Sequence, residues 1–187
     1  MCNQKDGEKE MRFILICCIA AMLIGCGLNT IPYSDNNGVI KPNAAAVSHY
    51  DWGLTYAKEG NLAQAITELK LAIQKEPGWI LPYFNLGAVY GNMGELDEAI
   101  LAWERTTQLD TDFVKAHFNL AVAYALRAQD SDSDYPKHID IERSIASLRE
   151  AIRVDKEARS AAEIEPAFDE IRELPKYKEL LESTEPQ

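Results

Sequence analysis

Cysteine is the reactive residue type with the most uneven distribution in this sequence. All four lie within the first 26 residues, at Cys2, Cys17, Cys18 and Cys26. The last one directly follows the apolar stretch FILICCIAAMLI at 13–24 and the glycine Gly25. Twelve helical residues span about 18 Å, well short of a hydrocarbon core of roughly 30 Å. The stretch therefore has the length of the apolar region of a secretory signal rather than that of a membrane span.

The run Leu23-Ile24-Gly25-Cys26 resembles the lipobox of bacterial lipoproteins, with Leu three residues before the cysteine and a small residue just before it. In that family a diacylglyceryl group is attached to the thiol, the leader is removed and the new amino terminus is acylated. The resemblance implies that residues 1–25 are a signal peptide and that Cys26 is the lipidated first residue of the mature chain. Two or three acyl chains hold a protein stably on a membrane. The alternative is that Cys26 merely ends an apolar leader.

Residues 1–10 do not suit the basic start of a signal peptide, because they carry Asp6, Glu8 and Glu10. We hypothesise that translation begins at Met11, which Arg12 follows directly. A precursor peptide that starts before Met11 would contradict this hypothesis. Without the leader, no cysteine besides Cys26 remains for a disulfide, a metal site or nucleophilic catalysis.

The other residues with catalytic or ligand chemistry are scattered. His49 and His117 occupy equivalent packing positions in the repeats described below, and His138 lies elsewhere, so their spacing does not suit a metal site. The sequence has no glycine-rich phosphate loop, no Ser/His/Asp grouping and no paired acids in an apolar setting. We therefore predict that the chain is not an enzyme and holds no metal or cofactor apart from the lipid on Cys26.

One acidic run imitates the opening of a calcium loop. Asp130-Ser131-Asp132-Ser133-Asp134 has the alternating acids of an EF-hand. An EF-hand also needs Gly at its sixth position and Glu at its twelfth, where this chain has Tyr135 and Ile141. A solvated acidic loop is the favoured interpretation, with weak cation binding or a partner contact as the alternatives.

The charge balance excludes several kinds of partner. The 187 residues contain 19 Lys and Arg against 30 Asp and Glu, a formal net charge of −11. Phosphate recognition needs concentrated positive charge, so nucleic acid is excluded as the main partner. An extended electrostatic contact with anionic lipid is disfavoured for the same reason. A basic segment of a partner protein fits the charge better.

Beyond position 45 the sequence repeats with a period of 34 residues. The octet YFNLGAVY at 83–90 returns as HFNLAVAY at 117–124, and single residues recur at the same spacing. Residues 26–45, by contrast, have the Pro, Gly and Asn content of a flexible linker. The recurring residues are Gly53 and Gly87, Gly60 and Gly94, Leu62 and Leu96, Ala65 and Ala99, and Tyr56, Tyr90 and Tyr124.

A 34-residue period with this content resembles the tetratricopeptide repeat (TPR), a helix–turn–helix unit. The resemblance implies an all-α TPR-type α-solenoid. Its units are TPR 1 at 46–79, TPR 2 at 80–113 and TPR 3 at 114–156. Small residues should lie where the two helices of a unit cross, namely Gly53 with Ala65, Gly87 with Ala99, and Ala121 with Ser144. Large residues should fill the space between units, namely Tyr56, Tyr90 and Tyr124 with Leu69, Trp103 and Leu148.

The third unit is longer and the chain after it differs. Ala121 and Ser144 are 23 residues apart, where the equivalent pairs are 12 apart, so eleven residues are inserted around 129–139. Residues 157–187 are expected to form capping helices, broken at Pro175, and a tail. A solenoid needs a cap because its last repeat otherwise exposes an apolar face. The predicted apolar stripe of the cap is Ile164, Phe168, Ile171, Leu174, Tyr177 and Leu180.

In TPR proteins the fifth, sixth and ninth residues of each repeat line the curved inner wall. The fifth positions here are aromatic and the sixth are polar, and in some TPR proteins asparagines at the sixth position hydrogen-bond an extended peptide. An amide suits this task because it both donates and accepts. The alternative is that the aromatic residues only pack. Lys58 and Lys115 are too few bases for a strong carboxylate clamp. The predicted partner-binding residues are Tyr50, Asp51, Phe84, Asn85, Phe118 and Asn119.

These inferences combine into one prediction of function. The chain is expected to be a lipid-anchored scaffold that binds a partner protein or peptide in the bacterial cell envelope, for assembly of a pilus, secretion or outer-membrane complex. Gly27 follows the lipidated cysteine in place of an inner-membrane retention signal, which favours the outer membrane facing the periplasm. A self-associating structural lipoprotein without a peptide groove, a homo-oligomer through its ends or walls, and an enzyme subunit remain the alternatives.

Overall fold

The computed structural model describes residues 42–130 and 136–183. The leader, the lipidated cysteine and nearly all of the predicted linker lie outside the described residues, as do positions 131–135 of the acidic run. Helices make up most of the described chain, and no strand occurs in it, which confirms the all-α prediction. The elements are α1 (Ala44–Lys58), α2 (Leu62–Lys75), α3 (Ile80–Met93), α4 (Leu96–Leu109), α5 (Val114–Gln129), α6 (Lys137–Val154), α7 (Glu157–Ile164), a 3-10 turn (Pro166–Phe168) and α8 (Pro175–Glu182).

Two glycines end the first helix of a pair and start the turn to the second. Gly60 follows α1 with φ of 78°, and Gly94 follows α3 with φ of 79°. These left-handed angles favour glycine because it has no Cβ. In each turn the amide of the next residue reaches back to the helix, from Asn61 to Tyr56 O at 2.8 Å and from Glu95 to Tyr90 O at 3.0 Å. The bonds cap the carbonyl end of the helix.

The predicted close crossings are present in all three helix pairs. A Cβ on Gly53 would lie 2.8 Å from Leu69 Cγ, and one on Gly87 would lie 2.5 Å from Trp103 Nε1. A side chain at either glycine would therefore displace its neighbour. In the third pair Ser144 Oγ donates to the carbonyl of Ala121 at 2.7 Å. The serine thus replaces close apolar packing by a hydrogen bond.

Apolar clusters join each helix pair to the next one. One cluster combines Leu54 and Leu69 of the first pair with Leu86 and Val89 of α3. The next combines Trp103 of the second pair with residues of α5, including Leu120 and the predicted filler Tyr124. Because the contacts connect neighbours in sequence order, the pairs form a stack, as expected of a solenoid.

A third cluster covers the carboxyl end of the stack, where α5 and α6 pack against the segment from α7 to α8. Phe168, Ile171, Tyr177 and Leu180 of the predicted stripe are buried there. The prediction is wrong for Ile164, whose side chain is 58% exposed. It lies at the end of α7, whose inward face consists of small residues, and the backbone is extended at the next residue.

A buried ion pair joins the two helices that flank the insertion. Arg127 of α5 donates from Nε and Nη2 to the carboxylate of Asp140 in α6, at 2.9 and 2.7 Å. Arg127 also donates to Asp97 of α4. Burial acts to lower the pKa of Arg127, but its hydrogen bonds to the two carboxylates outweigh this effect and raise it. The pair therefore fixes α4, α5 and α6 around the longer connection.

In the described part of the chain, none of the helices is both long enough and apolar enough to cross a membrane.

Candidate partner-binding surface

The first helices of the three pairs, α1, α3 and α5, carry the predicted site residues at equivalent positions. The spacing of 34 residues sets one aromatic and one polar residue side by side on each helix, because consecutive helical residues are about 100° apart. The aromatic members are Tyr50, Phe84 and Phe118, and the polar members are Asp51, Asn85 and Asn119.

The aromatic members form part of the core. Tyr50, Phe84 and Phe118 are 7%, 6% and 2% exposed. Burial is the main cause that raises the pKa of Tyr50 to about 12, in spite of its hydrogen bond with Asn85. These rings hold the stack together and present little area to a partner, which corresponds to the packing alternative. A direct partner contact through them stays a prediction that the structure gives little room for.

Each buried ring is covered by a second aromatic ring. Trp79 lies 4.7 Å from Tyr50 and Phe113 lies 4.9 Å from Phe84, measured between ring centroids. Trp79 and Phe113 are themselves 34 residues apart and end the first two repeats. Both are only partly buried. They are the aromatic surface that the candidate site offers, and the sequence analysis missed them although the same period relates them.

The third ring departs from this pattern. Phe118 is covered by Phe168 of the cap, at 5.9 Å and near a right angle, instead of by a residue at the end of its own repeat. Phe168 in turn contacts Tyr177 of α8 at 5.7 Å. The cap therefore closes the wall at α5, and the accessible aromatic surface ends at Phe113.

The two asparagines differ in what they can bind. Asn85 Nδ2 donates to the Tyr50 hydroxyl and to the Leu81 carbonyl, each at 3.0 Å. Both of its amide hydrogens are used within the fold, so only its carbonyl oxygen can serve a partner, as an acceptor. Its Tyr50 partner has no equivalent one repeat later, because position 84 is phenylalanine.

Asn119 keeps both functions of its amide. It is half-buried, and its side chain makes no hydrogen bond within the described residues. Asp51, the first member of the column, is exposed and can only accept when ionised. The column therefore presents one acceptor carboxylate, one acceptor carbonyl and one complete amide.

The histidines are engaged within the fold where the structure gives them a partner. His49 Nδ1 lies 2.6 Å from Glu68 Oε2, and His117 Nε2 lies 2.9 Å from the Thr111 carbonyl. His138 is exposed on α6. Among residues 42–130 and 136–183, His, Cys, Asp and Glu side chains form no group that could hold a metal ion.

The chain resembles known proteins in sequence over one repeat and in fold over most of its length. Residues 82–112 match the family model of a tetratricopeptide repeat. Among curated proteins, none matches this sequence. The fold is similar to that of the Arabidopsis OM64 TPR domain, with 16% identity, a TM-score of 0.53, and coverage of 64% of this chain and 92% of that one. It is also similar to the MamA protein, with 22% identity, a TM-score of 0.58, and coverage of 73% and 69%. The fold is thus that of an all-α TPR-type solenoid.

Proposed function

Given the TPR fold, we propose that this chain is a membrane-anchored scaffold without catalytic activity, which binds an extended segment of a partner protein on its inner wall. TPR solenoids provide a curved protein-interaction surface. The observation that carries the proposal is the half-exposed amide of Asn119, which has no hydrogen bond within the described residues. An amide that the fold does not use is available to a ligand.

The chemistry of the wall suits an extended peptide. Such a peptide presents N–H and C=O groups in alternation, and Asn119 can pair with one of each. Asn85 can accept one further N–H through its carbonyl oxygen, since its donors are occupied. The rings of Trp79 and Phe113 supply apolar contact area at a low cost in side-chain entropy. With so few polar contacts, the affinity is expected to be modest.

The charge of the chain favours a basic partner segment. The net charge is −11, and Asp51 exposes its carboxylate beside the asparagine column. Like charges would slow the approach of an acidic partner, whereas opposite charges steer association. The predicted wall offers only Lys58 and Lys115 for a carboxylate, so an internal basic segment suits it better than a free carboxyl terminus.

The location of the scaffold is proposed from its leader. Cys26 would carry the lipid and hold the solenoid at the cell envelope, at the outer membrane facing the periplasm, where it would recruit a component of a pilus, secretion or outer-membrane assembly. This part of the proposal is supported by the spacing of the apolar stretch and Leu23-Ile24-Gly25-Cys26 alone. The structure adds no support to it, because these residues lie outside its described part.

Capture of the partner by the full chain, with and without Asn119→Ala, tests the wall. The partner is first identified by affinity capture from the membranes of the native organism followed by mass spectrometry. Loss of two hydrogen bonds to the peptide should then reduce its recovery by about tenfold. Circular dichroism should be unchanged, since the Asn119 side chain bonds nothing in the described fold.

Gln64→Ala is the matched control. Gln64 is an exposed amide on α2, away from the asparagine column, and removing it should leave recovery unchanged. If Asn119→Ala captures as much partner as the control does, the partner binds elsewhere on the solenoid and the proposed wall is wrong.

A further inference from the structure

The amino-terminal end of the stack leaves one helix face uncovered. Ala45, Ser48, Trp52 and Thr55 follow each other at helical spacing on α1, and all four are exposed. Trp52 is 54% exposed, and its ring contacts only that of His49 among the described aromatic rings, at 5.5 Å. We call these four residues the open face.

The same face is buried on the two later helices of the series. Adding 34 to the positions of Ser48, Trp52 and Thr55 gives Pro82, Leu86 and Val89 of α3, and adding 34 again gives residues of α5. Leu86 and Val89 pack into the cluster of the first helix pair, below a relative exposure of 8%. The equivalents on α5 are Ala116, Leu120 and Ala123, buried against the second pair.

In both cases the preceding second helix covers this face. α2 precedes α3, and α4 precedes α5, and each belongs to the cluster that receives the face. The opposite end of the stack is already closed by α7 and α8. A large indole that is half exposed at the one open end is therefore a contact position without its counterpart.

The chain just before α1 has the length and register of that counterpart. α4 spans Leu96–Leu109, and subtracting 34 gives the bounds of α2, Leu62–Lys75. Subtracting 34 once more gives residues 28–41, which end directly before Pro42, where the described chain begins. Leu28 thus falls in register with Leu62 and Leu96, the first residues of the two helices.

We propose that residues 28–41 of this chain lie against the open face and cover Trp52. The segment supplies apolar side chains, and its only charges are Asp35 and Lys41, which cancel. Pro32 and Gly38 disfavour a helix, so the segment is expected to cover the face as an irregular strap. Its apolar residues are Leu28, Ile31, Tyr33, Val39 and Ile40.

The reach of the segment and the charge of the chain favour it over a second copy. Fourteen extended residues span up to about 46 Å, whereas the 15 residues of α1 rise about 22 Å, so the strap can run the length of the helix. A tethered segment also acts at an effective concentration in the millimolar range. A second copy has no such advantage and must approach against a net charge of −11.

The strap changes the geometry of the proposed anchor. If residues 28–41 cover α1, only Gly27 separates the lipidated Cys26 from the docked segment. The open end of the solenoid would then lie at the membrane surface, and the inner wall would face along it. A free linker of the same length would let the solenoid turn in any direction.

Photo-crosslinking from position 52 of the full chain in a bacterial host tests this proposal. Trp52→p-benzoylphenylalanine keeps an aromatic side chain on the open face, and the crosslinked peptides are identified by digestion and mass spectrometry. We expect a crosslink within one chain to a peptide from residues 28–41. The same amino acid at position 101, in place of the exposed Leu101 of α4, should give no such crosslink.

A pair of double substitutions separates specific docking from mere proximity. Ile31→Asp with Val39→Asp places charges on apolar positions and should reduce the intrachain crosslink by about tenfold. Asn29→Asp with Asn36→Asp adds the same charge at polar positions and should leave it intact. A crosslink to a second copy, to another protein or to lipid alone, the absence of any crosslink, or equal loss in both double variants would overturn the proposal.

Discussion

At the scale of single residues, a hydroxyl decides which asparagine of the candidate site is available. Asn85 and Asn119 occupy the same repeat position on α3 and α5. The Tyr50 hydroxyl accepts one of the hydrogens of Asn85, and the Leu81 carbonyl accepts the other. Phe84, which stands one repeat after Tyr50, has no oxygen to offer Asn119. A single oxygen atom thus divides two equivalent positions into a structural and a free amide.

Tyr50→Phe should convert the structural amide into a free one. The substitution removes one hydrogen bond, so the free energy of unfolding should fall by about 1 kcal/mol in urea denaturation. Affinity for the captured partner should rise by about threefold, because Asn85 regains a donor for a peptide carbonyl.

Tyr83→Phe is the control for this prediction. The Tyr83 hydroxyl donates to the Pro77 carbonyl at 3.1 Å on an exposed surface, away from the asparagines. Its loss should change neither affinity nor stability measurably. Weaker partner binding by Tyr50→Phe than by Tyr83→Phe would mean that the phenol itself serves the partner.

The sequence predicts which positions share a face, but it does not predict which of them remain exposed. The period locates Tyr50, Phe84 and Phe118 correctly as a column. Their burial depends on Trp79, Phe113 and Phe168, whose rings lie over them in three dimensions. Phe168 belongs to no repeat, so the sequence pattern gives no reason to pair it with Phe118.

At the scale of elements, the cap is held by its contacts rather than by its own helices. α7 and α8 have eight residues each, which is too short for an isolated helix to be stable in water. Phe168 is fully buried between Phe118 and Tyr177, and the Tyr177 hydroxyl donates to the Ala162 carbonyl at 2.9 Å. The 3-10 turn therefore connects both short helices to α5.

Phe168→Ala should detach the cap from the stack. Removing a fully buried phenylalanine costs about 3–5 kcal/mol in the free energy of unfolding, measured by urea denaturation followed by circular dichroism. Ile164→Ala, four residues away, should cost less than about 0.5 kcal/mol, because its side chain is mostly exposed. Equal losses for the two variants would contradict the assigned packing of the cap.

Element positions follow from the sequence to a greater extent than their cross-links do. The recurring Gly and Ala residues locate the crossings of α1 with α2 and of α3 with α4, because only small residues fit there. The pairing of Arg127 with Asp140 is not predictable in the same way. These residues lie on either side of the insertion, and their distance depends on the path of eleven residues without a counterpart in the other repeats.

At the scale of the whole molecule, the proposed function depends on attachment at one end. The described solenoid begins at Pro42, only 16 positions after Cys26. A lipid on that cysteine would place the open end of the stack nearest the bilayer and leave the cap facing away. Orientation, rather than affinity alone, would then determine which envelope proteins reach the inner wall.

Cys26→Ala should release the protein from the membrane fraction. Without the thiol no diacylglyceryl group can be attached, so incorporation of labelled palmitate should be lost and the chain should no longer sediment with outer membranes. Cys18→Ala leaves the lipobox-like run intact and should behave like the unmodified chain in both measurements. Palmitate incorporation in Cys26→Ala would show that another residue carries the lipid.

The three tryptophans give each part of the molecule its own fluorescence signal. Trp52 is exposed on α1, Trp79 lies partly buried beside Tyr50, and the buried Trp103 donates from Nε1 to the Phe84 carbonyl at 3.1 Å. Indole emission shifts to the blue when water is excluded, so single-tryptophan variants with Phe at the other two positions would respond to different events. Emission from position 79 would report arrival of a ligand, that from position 103 would report melting, and that from position 52 would report the state of the amino-terminal end.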